Sequence, residues 1–517
     1  MDIQKVIEKY NKGKSELFTF RGLMTEIYTY CIPSRNSWVN QNQGAENTQI
    51  IYNSHPVLAT KHFASNILSL MMPAGLKFFN LQSNKILSQD DQEAFNKEVA
   101  PISDIIFEYI ERSNYFIACH EAFIDLAAGM GGVICKYSGD NDNPLAFTSL
   151  DMSKLAVYES SNGVLNNVFQ DVDSIDYDDA KYLYPDATFN EECKTLNLIV
   201  CTVYDEDEKK YHYMIIDKGN HNIYLDRTYA CNPFSVFRWT KLSTEMRGRG
   251  ILADMISDIK TANLMMEDIL TASQRVIAPP TIVYSGSLIN PSNIDFSPNS
   301  IITVKQQQGI TNPITSLPFT GNLPFGIQQV QAFNQQLDEA MLINPLGGVG
   351  QGIQTATEVS SRMQLAANVL GSAEGRLQRE LLEPMINKSI EILTTLGLIP
   401  KLPKGIKISY QSSVTNMQKQ SNFTKLMQSI QAIAQISGSN ANQAIMTSLD
   451  VSRLPTYIAE QLGADLSLFR TTAEVTQSMK MQQQIAMNQI KQQQTFNNQN
   501  TSLAGAPINT NLPGISQ

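Results

Sequence analysis

The order of helix breakers in residues 247–400 constrains this chain more than any other feature. Ile251, Met255, Ile259, Met266 and Leu270 recur at helical spacing, with Asp254, Asp258, Lys260 and Glu267 between them. Pro279-Pro280 stops this run, because proline supplies no amide donor and pushes the residue before it out of the α region. A second run, Val330, Phe333, Leu337 and Met341, opens near Pro324-Phe325, where proline suits a first helical turn, and ends before Pro345. The pattern predicts a helix over 251–278, about 28 residues and roughly 40 Å long, and a second over 325–343. Arg247-Gly248-Arg249-Gly250 reads as a flexible basic lead-in to the first.

Between these helices, Thr281-Ile282-Val283-Tyr284 and Ile301-Ile302-Thr303-Val304 are short β-like runs bounded by Gly, Pro, Asn and Ser. From residue 271 to residue 337 the only charged side chains are Asp295, Arg275 and Lys305. So uncharged a surface suits contact with copies of itself or with a partner better than solvation. After the second helix, residues 344–352 read Asn-Pro-Leu-Gly-Gly-Val-Gly-Gln-Gly. This stretch follows a helix rather than a strand, and Gly347, Gly348, Gly350 and Gly352 do not fit G-x-G-x-x-G, so it reads as a mobile or tightly turned loop rather than a phosphate cradle. Thr355 and Glu358 have capping-box spacing. The apolar residues Val359, Met363, Leu370, Leu377, Leu381, Ile386, Ile390 and Leu393 then continue a long helix to Gly397, with Gly371, Gly375 and Pro384 as bend points.

Several of these landmarks, taken in order, resemble the head-to-tail connector, or portal, proteins of short-tailed, T7-like bacteriophages. They are Tyr30-Cys31-Ile32-Pro33, Leu70-Met71-Met72-Pro73, Arg-Gly-Arg-Gly at 247–250, Ile-Ala-Pro-Pro at 277–280, Thr-Ala-Thr-Glu-Val at 355–359 and Gly-Arg-Leu-Gln-Arg-Glu-Leu-Leu-Glu-Pro at 375–384. The resemblance implies an α+β, mainly α, portal fold. It divides the chain into a wing (1–246, β-rich over about 131–240), a stem helix (247–279), a clip (280–323) and a second stem helix (324–343). A tunnel loop (344–354), a long wing helix with a return strand (355–414), a crown (415–491) and a disordered tail (492–517) would follow. Asn344, Gly347, Gly348, Gly350, Gln351 and Gly352 would face DNA. Tyr284, Asn290, Asp295 and Lys305 would lie on the clip, and Asp258, Glu267, Gln328 and Asp338 on the stem. The implied assembly is a homo-oligomeric ring of about twelve copies at one vertex of the virion, assembled in a host cytoplasm. Its implied partners are a tail adaptor, a large terminase, the major capsid and scaffolding proteins, and double-stranded DNA in an axial channel. A tail or internal virion protein without a channel is the alternative.

The remaining sequence is consistent with several substructures. Residues 2–31 predict one or two amphipathic helices with Val6, Tyr10, Phe18, Leu23, Ile27 and Tyr30 apolar, and Trp38 in the following polar loop should pack onto the body. Residues 54–70, with Val57, Leu58, His62, Ile67 and Leu70, and residues 85–113 and 115–128 are helical in pattern. From Gly131 the pattern becomes β: residues 133–137, 155–158, 196–204, 211–216 and 234–239 predict an antiparallel sheet or small barrel. Residues 407–410 read as a strand returning to that sheet, and residues 416–437, 441–449 and 454–469 as short helices. Residues 472–491 form a weakly amphipathic run, and the tail from 401 carries nine bases against four acids.

Residues 171–227 hold 14 acids against 6 bases, most of the chain's net charge of −10, and read as a solvated surface. An acidic chain is a poor phosphate gripper but compatible with a conduit, in which tight phosphate contacts would add friction. Gly13-Lys14-Ser15 imitates a Walker A end, but Glu8 stands where its first glycine should be. His120-Glu121 begins a zinc-protease signature that Ile124 breaks. The five histidines fall singly, the six cysteines lack framework spacing and read as reduced buried thiols, and no run approaches a membrane span. No enzyme, cofactor, metal or membrane role is expected.

Overall fold

The computed structural model describes residues 2–35, 38, 50–73, 75–83, 89–160, 163–190, 193–285, 297, 299–305, 314–316, 321–343, 371, 373–402, 406–411 and 413–437, with 454, 457–458, 478, 481, 484–485 and 487–488. In chain order the elements are α1 (Ile3–Cys31), α2 (His55–Met71), β1 (Phe79–Ser83), α3 (Gln89–Arg112), α4 (Tyr115–Ala128), β2 (Met130–Tyr137), β3 (Leu145–Ser149), β4 (Leu155–Tyr158) and β5 (Asn167–Asp176). Then come α5 (Tyr177–Leu183), β6 (Thr195–Asp205), β7 (Lys210–Asp217), β8 (Ile223–Tyr229), β9 (Phe234–Arg238), β10 (Thr240–Lys241), β11 (Gly248–Arg249) and α6 (Ile251–Ile277). The last are β12 (Thr281–Ser285), β13 (Ile301–Lys305), β14 (Ile314–Ser316), α7 (Leu323–Ala340), a π-helical turn (Gln378–Leu382), α8 (Glu383–Thr395), β15 (Ile406–Tyr410) and α9 (Ser413–Ser437). The chain is thus α+β, and it divides into two units: residues 1–79, 102–401 and 410–414, and residues 80–101, 402–409 and 415–517.

In the first unit the β-rich part is two open antiparallel sheets, not a barrel: β3-β2-β9, and β4-β5-β6-β7-β8. Strands β3, β5 and β8 escape the sequence pattern because acids and other polar residues interrupt their alternation; β8 is an edge strand with no buried residue. Helix α1 lies on the five-stranded sheet, where Val6 and Tyr10 join Ala156, Phe169, Ile199, Met214 and Ile216 in one core. Gly13 owes its identity to this contact, since a Cβ there would stand 2.6 Å from the Val157 carbonyl oxygen. Phe18, expected on the apolar face, is 75% exposed, and Phe20 is buried instead. The buried face runs through positions 6, 10, 13, 20, 24, 27 and 31, and position 18 is off it by about a sixth to a quarter of a turn. Leu58 on α2 is exposed for the same reason, while Ala59, Phe63 and Ile67 face inward.

Part of the acidity of residues 171–227 is neutralised locally. Tyr10 and Lys218 donate to Asp171 at 2.7 and 2.9 Å, Lys218 also reaches Asp173, and Asp186 pairs with Arg227. The buried phenol of Tyr10 is pushed well above its ordinary range by burial and by Asp171. Trp38 is buried against Tyr28, ring centroids 5.8 Å apart, as expected. The six cysteines are free; Cys193 and Cys231 are half-buried rather than buried.

In the second unit β1 and β15 form a two-stranded sheet, so the strand after residue 400 does not return to the main sheets. Helix α9 matches the helix expected over 416–437. The expected helices at 441–449 and 454–469, the amphipathic run at 472–491 and the disordered tail lie wholly or mostly outside the described residues.

The bend expected at Pro384 takes the form of the π-helical turn just before it, in which the Glu383 amide reaches back to the Gln378 carbonyl. Proline leaves the Glu380 carbonyl without its helical donor, and the Ser235 hydroxyl supplies one at 2.6 Å.

The Arg-Gly-Arg-Gly lead-in is the opposite of flexible. The Arg247 side chain is buried and donates to the Leu155 and Met152 carbonyls, while the amides of Met246 and Arg247 donate to Glu16. Gly248 and Gly250 lie against the backbone of residues 127–129. A Cβ on Gly250 would stand 2.1 Å from the Ala127 oxygen and 2.5 Å from the Gly129 nitrogen. Gly250→Ala should therefore lower stability by about 3 kcal/mol or abolish folding. Gly22→Ala, at a helical glycine with open space around it, should raise stability by about 0.5–1 kcal/mol. Thermal unfolding of the two variants separates close approach from a general intolerance of substitution at glycine.

Candidate stem and its anchor

Helices α6 and α7 appear where the prolines predicted them. α6 stops at Ala278, directly before the double proline, and α7 is capped by Asn322, whose side chain accepts from the Phe325 amide at 3.3 Å. The two helices pack on each other, and Leu252, Ile256, Ile259, Ala262 and Asn263 are buried on α6, Val330 and Leu337 on α7. Gly326 permits the close approach near the start of α7, since a Cβ there would meet Ile269 at 3.2 Å.

Burial is uneven along α6. All of its buried residues fall in the first half. In the second half Leu264 is 60% exposed and Ile277 83%, with Leu270 and Val276 near half. Phe325 and Ile327 at the start of α7 are exposed too.

Where the two helices are anchored, their polar side chains are paired rather than free. Asn263, 3% exposed, accepts from the amides of Tyr52 and Asn53 at 2.8 and 3.0 Å and donates to the Ile50 carbonyl at 2.9 Å. Asn53 in turn donates to Asn334 on α7 at 2.9 Å. Of the stem residues singled out from sequence, Asp338 is 2.8 Å from the His55 ring and Glu267 accepts the Tyr52 hydroxyl. Asp258 is half-buried beside Asn53 and Phe333, and Gln328 is exposed.

The end of α7 is held equally firmly. Ile343 donates to the Asp338 carbonyl at 2.8 Å and Leu342 to Glu339 at 3.3 Å, a Schellman cap. The cap puts Leu342 at φ 55°, a position that favours glycine. Burial of the Leu342 side chain and a 2.9 Å bond from Asn66 to its carbonyl hold it there.

The strands expected at 281–284 and 301–304 are present. β12 pairs in parallel with β13, placing Tyr284 opposite Val304 and Lys305 opposite Ser285, and antiparallel with β14. Asn290, Asp295 and the loop residues Asn344, Gly347, Gly348, Gly350, Gln351 and Gly352 lie outside the described residues, as does the expected cap at Thr355.

Two buried charge clusters lie next to the lead-in to α6, and neither is visible in the sequence. Arg238, 1% exposed, donates from its side chain and its amide to Glu380 on the π-turn, and also to the carbonyls of Met246 and Gly163. Glu159 bridges Arg238 and Lys241. On the other side, Asp125 accepts from Tyr28 at 2.7 Å and pairs with Arg35. Burial, outweighing Arg35 and Tyr28, pushes the Asp125 carboxyl up to about 7. Among the described residues no three His, Cys, Asp or Glu side chains converge as a metal site would require, and no helix is long and apolar enough to cross a membrane.

Compared with known proteins, the chain matches the family model of the bacteriophage head to tail connecting protein over residues 3–469. No curated protein matches it. Among solved structures it is similar to a chain in the virion of a native gene transfer agent particle, with 10% identity, 73% of this chain and 87% of that chain covered, and a TM-score of 0.35. It is also similar to a chain in the neck of an empty gene transfer agent particle, with 11% identity, 81% and 92% covered, and a TM-score of 0.37.

Truncating Asn263 would strand two amides and a carbonyl in the anchor. Asn263→Ala should cost about 2–4 kcal/mol, whereas Gln328→Ala, at an exposed position on α7, should change stability by less than about 0.5 kcal/mol; chemical denaturation distinguishes the two. Asp125 gives a pH signature. Its folded carboxyl holds a proton that the unfolded chain has already released, so its contribution to stability is full below about pH 4 and is lost as the pH rises to about 7. Unfolding midpoints measured across that range should fall less steeply with pH in Asp125→Asn than in the parent.

Proposed function

The chain belongs to the bacteriophage head to tail connecting protein family, and from that premise we propose that it is a portal subunit, forming a ring around an axial channel through which double-stranded DNA enters and leaves the capsid. The family is a structural component of the particle rather than an enzyme family.

One observation carries the ring reading. The distal half of α6 and the start of α7 leave Leu264, Leu270, Val276, Ile277, Phe325 and Ile327 exposed in the single chain. Side-by-side packing of stem pairs would bury them, each large side chain contributing about 1.5–3 kcal/mol when fully covered. Helices α6 and α7 together carry six acids against two bases, so the channel wall they would form repels phosphate rather than gripping it.

In this reading residues 280–323 form the clip that docks the terminase and then a tail adaptor of a short-tailed phage, with Tyr284, Asn290, Asp295 and Lys305 on it. Residues 344–354 form the tunnel loop, residues 1–246 and 355–414 the wing, and 415–491 the crown. The ring sits at one vertex of the virion, contacts capsid and scaffolding proteins, and leaves DNA translocation to a separate motor.

Negative-stain microscopy and solution mass of the purified protein test the reading. Rings with a central hole are expected. Leu270→Glu with Val276→Glu should leave the protomer's thermal stability unchanged and shift the population to monomers. A stable oligomer without a central hole would replace the channel with a tail or internal virion role.

A further inference from the structure

Where β4 ends and β5 begins, a lysine amine from α1 lies against a buried side-chain amide. The geometry points to a covalent bond at this place: Lys9 Nζ attacks Asn167 Cγ, ammonia leaves, and an isopeptide fastens α1 to β5. Such a bond is independent of the ring reading above.

Asn167 is 2% exposed. Its Oδ1 accepts from Lys9 Nζ and from the Tyr204 amide, each at 3.3 Å, and its Nδ2 donates to the Tyr158 carbonyl at 3.2 Å. Donors on one side and an acceptor on the other fix which atom is the oxygen. The amine is therefore held against the carbonyl it would attack, at the separation of a near-attack pair. Lys9 is half-buried. Burial, helped by Lys5 and outweighing Glu206 and Asp205, pulls its amine below the ordinary lysine range and so favours the uncharged nucleophile.

A proton acceptor lies on the same face of the sheet. Tyr158 pairs with Asn167, Val168 with Thr202 and Val203 with His212, so Asn167, Val203, Asp205 and His212 all point to the side that α1 covers. Asp205 Oδ1 accepts from the amides of Asp207 and Glu208 at 2.9 and 3.4 Å. Its Oδ2 stands 4.0 Å from Nε2 of His212, beyond hydrogen-bond reach. His212 is 7% exposed, and Asp226 lies 3.0 Å from its Nδ1. A carboxylate only accepts, so the neutral ring carries its hydrogen on Nδ1, and Nε2 is left with a buried lone pair and no partner. Two acceptors facing each other across this gap are arranged to hold a proton between them.

The step balances without an oxidant or a cofactor. The Lys9 lone pair forms the Nζ–Cγ bond, the carbonyl electrons move onto Oδ1, and the Tyr204 amide, already directed at that oxygen, stabilises the charge. Nζ gives a proton to Asp205. The carbonyl then re-forms, the Cγ–Nδ2 bond breaks, and Nδ2 takes the proton and departs as ammonia. The primary amide and the amine become one secondary amide, and loss of ammonia to solvent makes the exchange irreversible. Burial of Asn167 excludes the water that would otherwise hydrolyse the amide to aspartate.

Intact-mass spectrometry of the purified full chain after prolonged incubation in native buffer supplies the test. The parent should be lighter than its sequence mass by one ammonia, and Lys9→Arg, which keeps the charge at a half-buried position, should restore the full mass. Lys9 and Asn167 are 158 residues apart, so the linked chain should also run faster than Lys9→Arg on a reducing denaturing gel, and a protease digest should yield one branched peptide carrying both residues. In refolded protein followed over time, Asp205→Asn should slow the loss of ammonia about 100-fold. A parent that stays at its full sequence mass, or a deficit that survives Lys9→Arg, would overturn the bond; an unchanged rate in Asp205→Asn would overturn the proton route.

Discussion

The structure depends on one close approach of backbone to backbone, where residues 248–250 cross residues 127–129. Gly250 donates its amide to the Ala128 carbonyl at 3.2 Å, and Trp239 donates to Gly129 at 3.0 Å. The contact fixes the start of α6 against the end of α4 and the beginning of β2. Everything placed by those elements is then placed relative to α6: α1 through Glu16, the β4 region through Arg247, and the π-turn through Arg238. Two arginines and two glycines act here as a fixed joint. The arginines satisfy carbonyls at the start of β4 and in the neighbouring turns, and the glycines remove the side chains that would hold the backbones apart.

The parts of the fold that the sequence made legible are those set by local chemistry. Pro279-Pro280 and Pro324 bound α6 and α7, and alternating β-branched residues mark β2, β6, β7 and β9. The misses are of two kinds. Phe18 and Leu58 are apolar residues off the buried face, where composition misleads and only phase decides. The anchor is harder, because Asn53 and Asn334 are 281 residues apart, and Arg238 and Glu380 are 142. A polar residue gives no periodic signal of burial, and its partner is chosen by topology. Arg-Gly-Arg-Gly was misread as flexible for the same reason: glycine can signal freedom or confinement, and only the neighbouring backbone distinguishes them.

The same contrast runs through the candidate site. The strand that carries Tyr284 followed from a β-branched run and its turn residues, whereas its parallel pairing with the strand that ends at Lys305 did not. Asp338 and Glu267 look in sequence like free acids on a helix face. In the fold they hold His55 and Tyr52, and so belong as much to the anchor as to any channel wall. A polar helix residue near a buried partner is a structural acceptor first. The exposed acids of α6 and α7, such as Asp254, Asp268 and Glu339, are left to set the surface potential.

The division of α6 into an anchored half and an uncovered half has an energetic consequence. A helical segment of about a dozen residues is marginal in water by itself, so the distal turns of α6 cannot rely on intrinsic propensity. They are supported on one side by α7, through contacts such as Gly326 against Ile269, and leave Leu264, Leu270, Val276 and Ile277 open on others. Any partner that covers those residues also stabilises the turns that present them. In the proposed ring the partner is the neighbouring stem, so closing the ring and ordering the distal stem become one cooperative step. The proximal half, fixed by Asn263 and the glycine joint, gives that step a template whose direction is already set within the single chain.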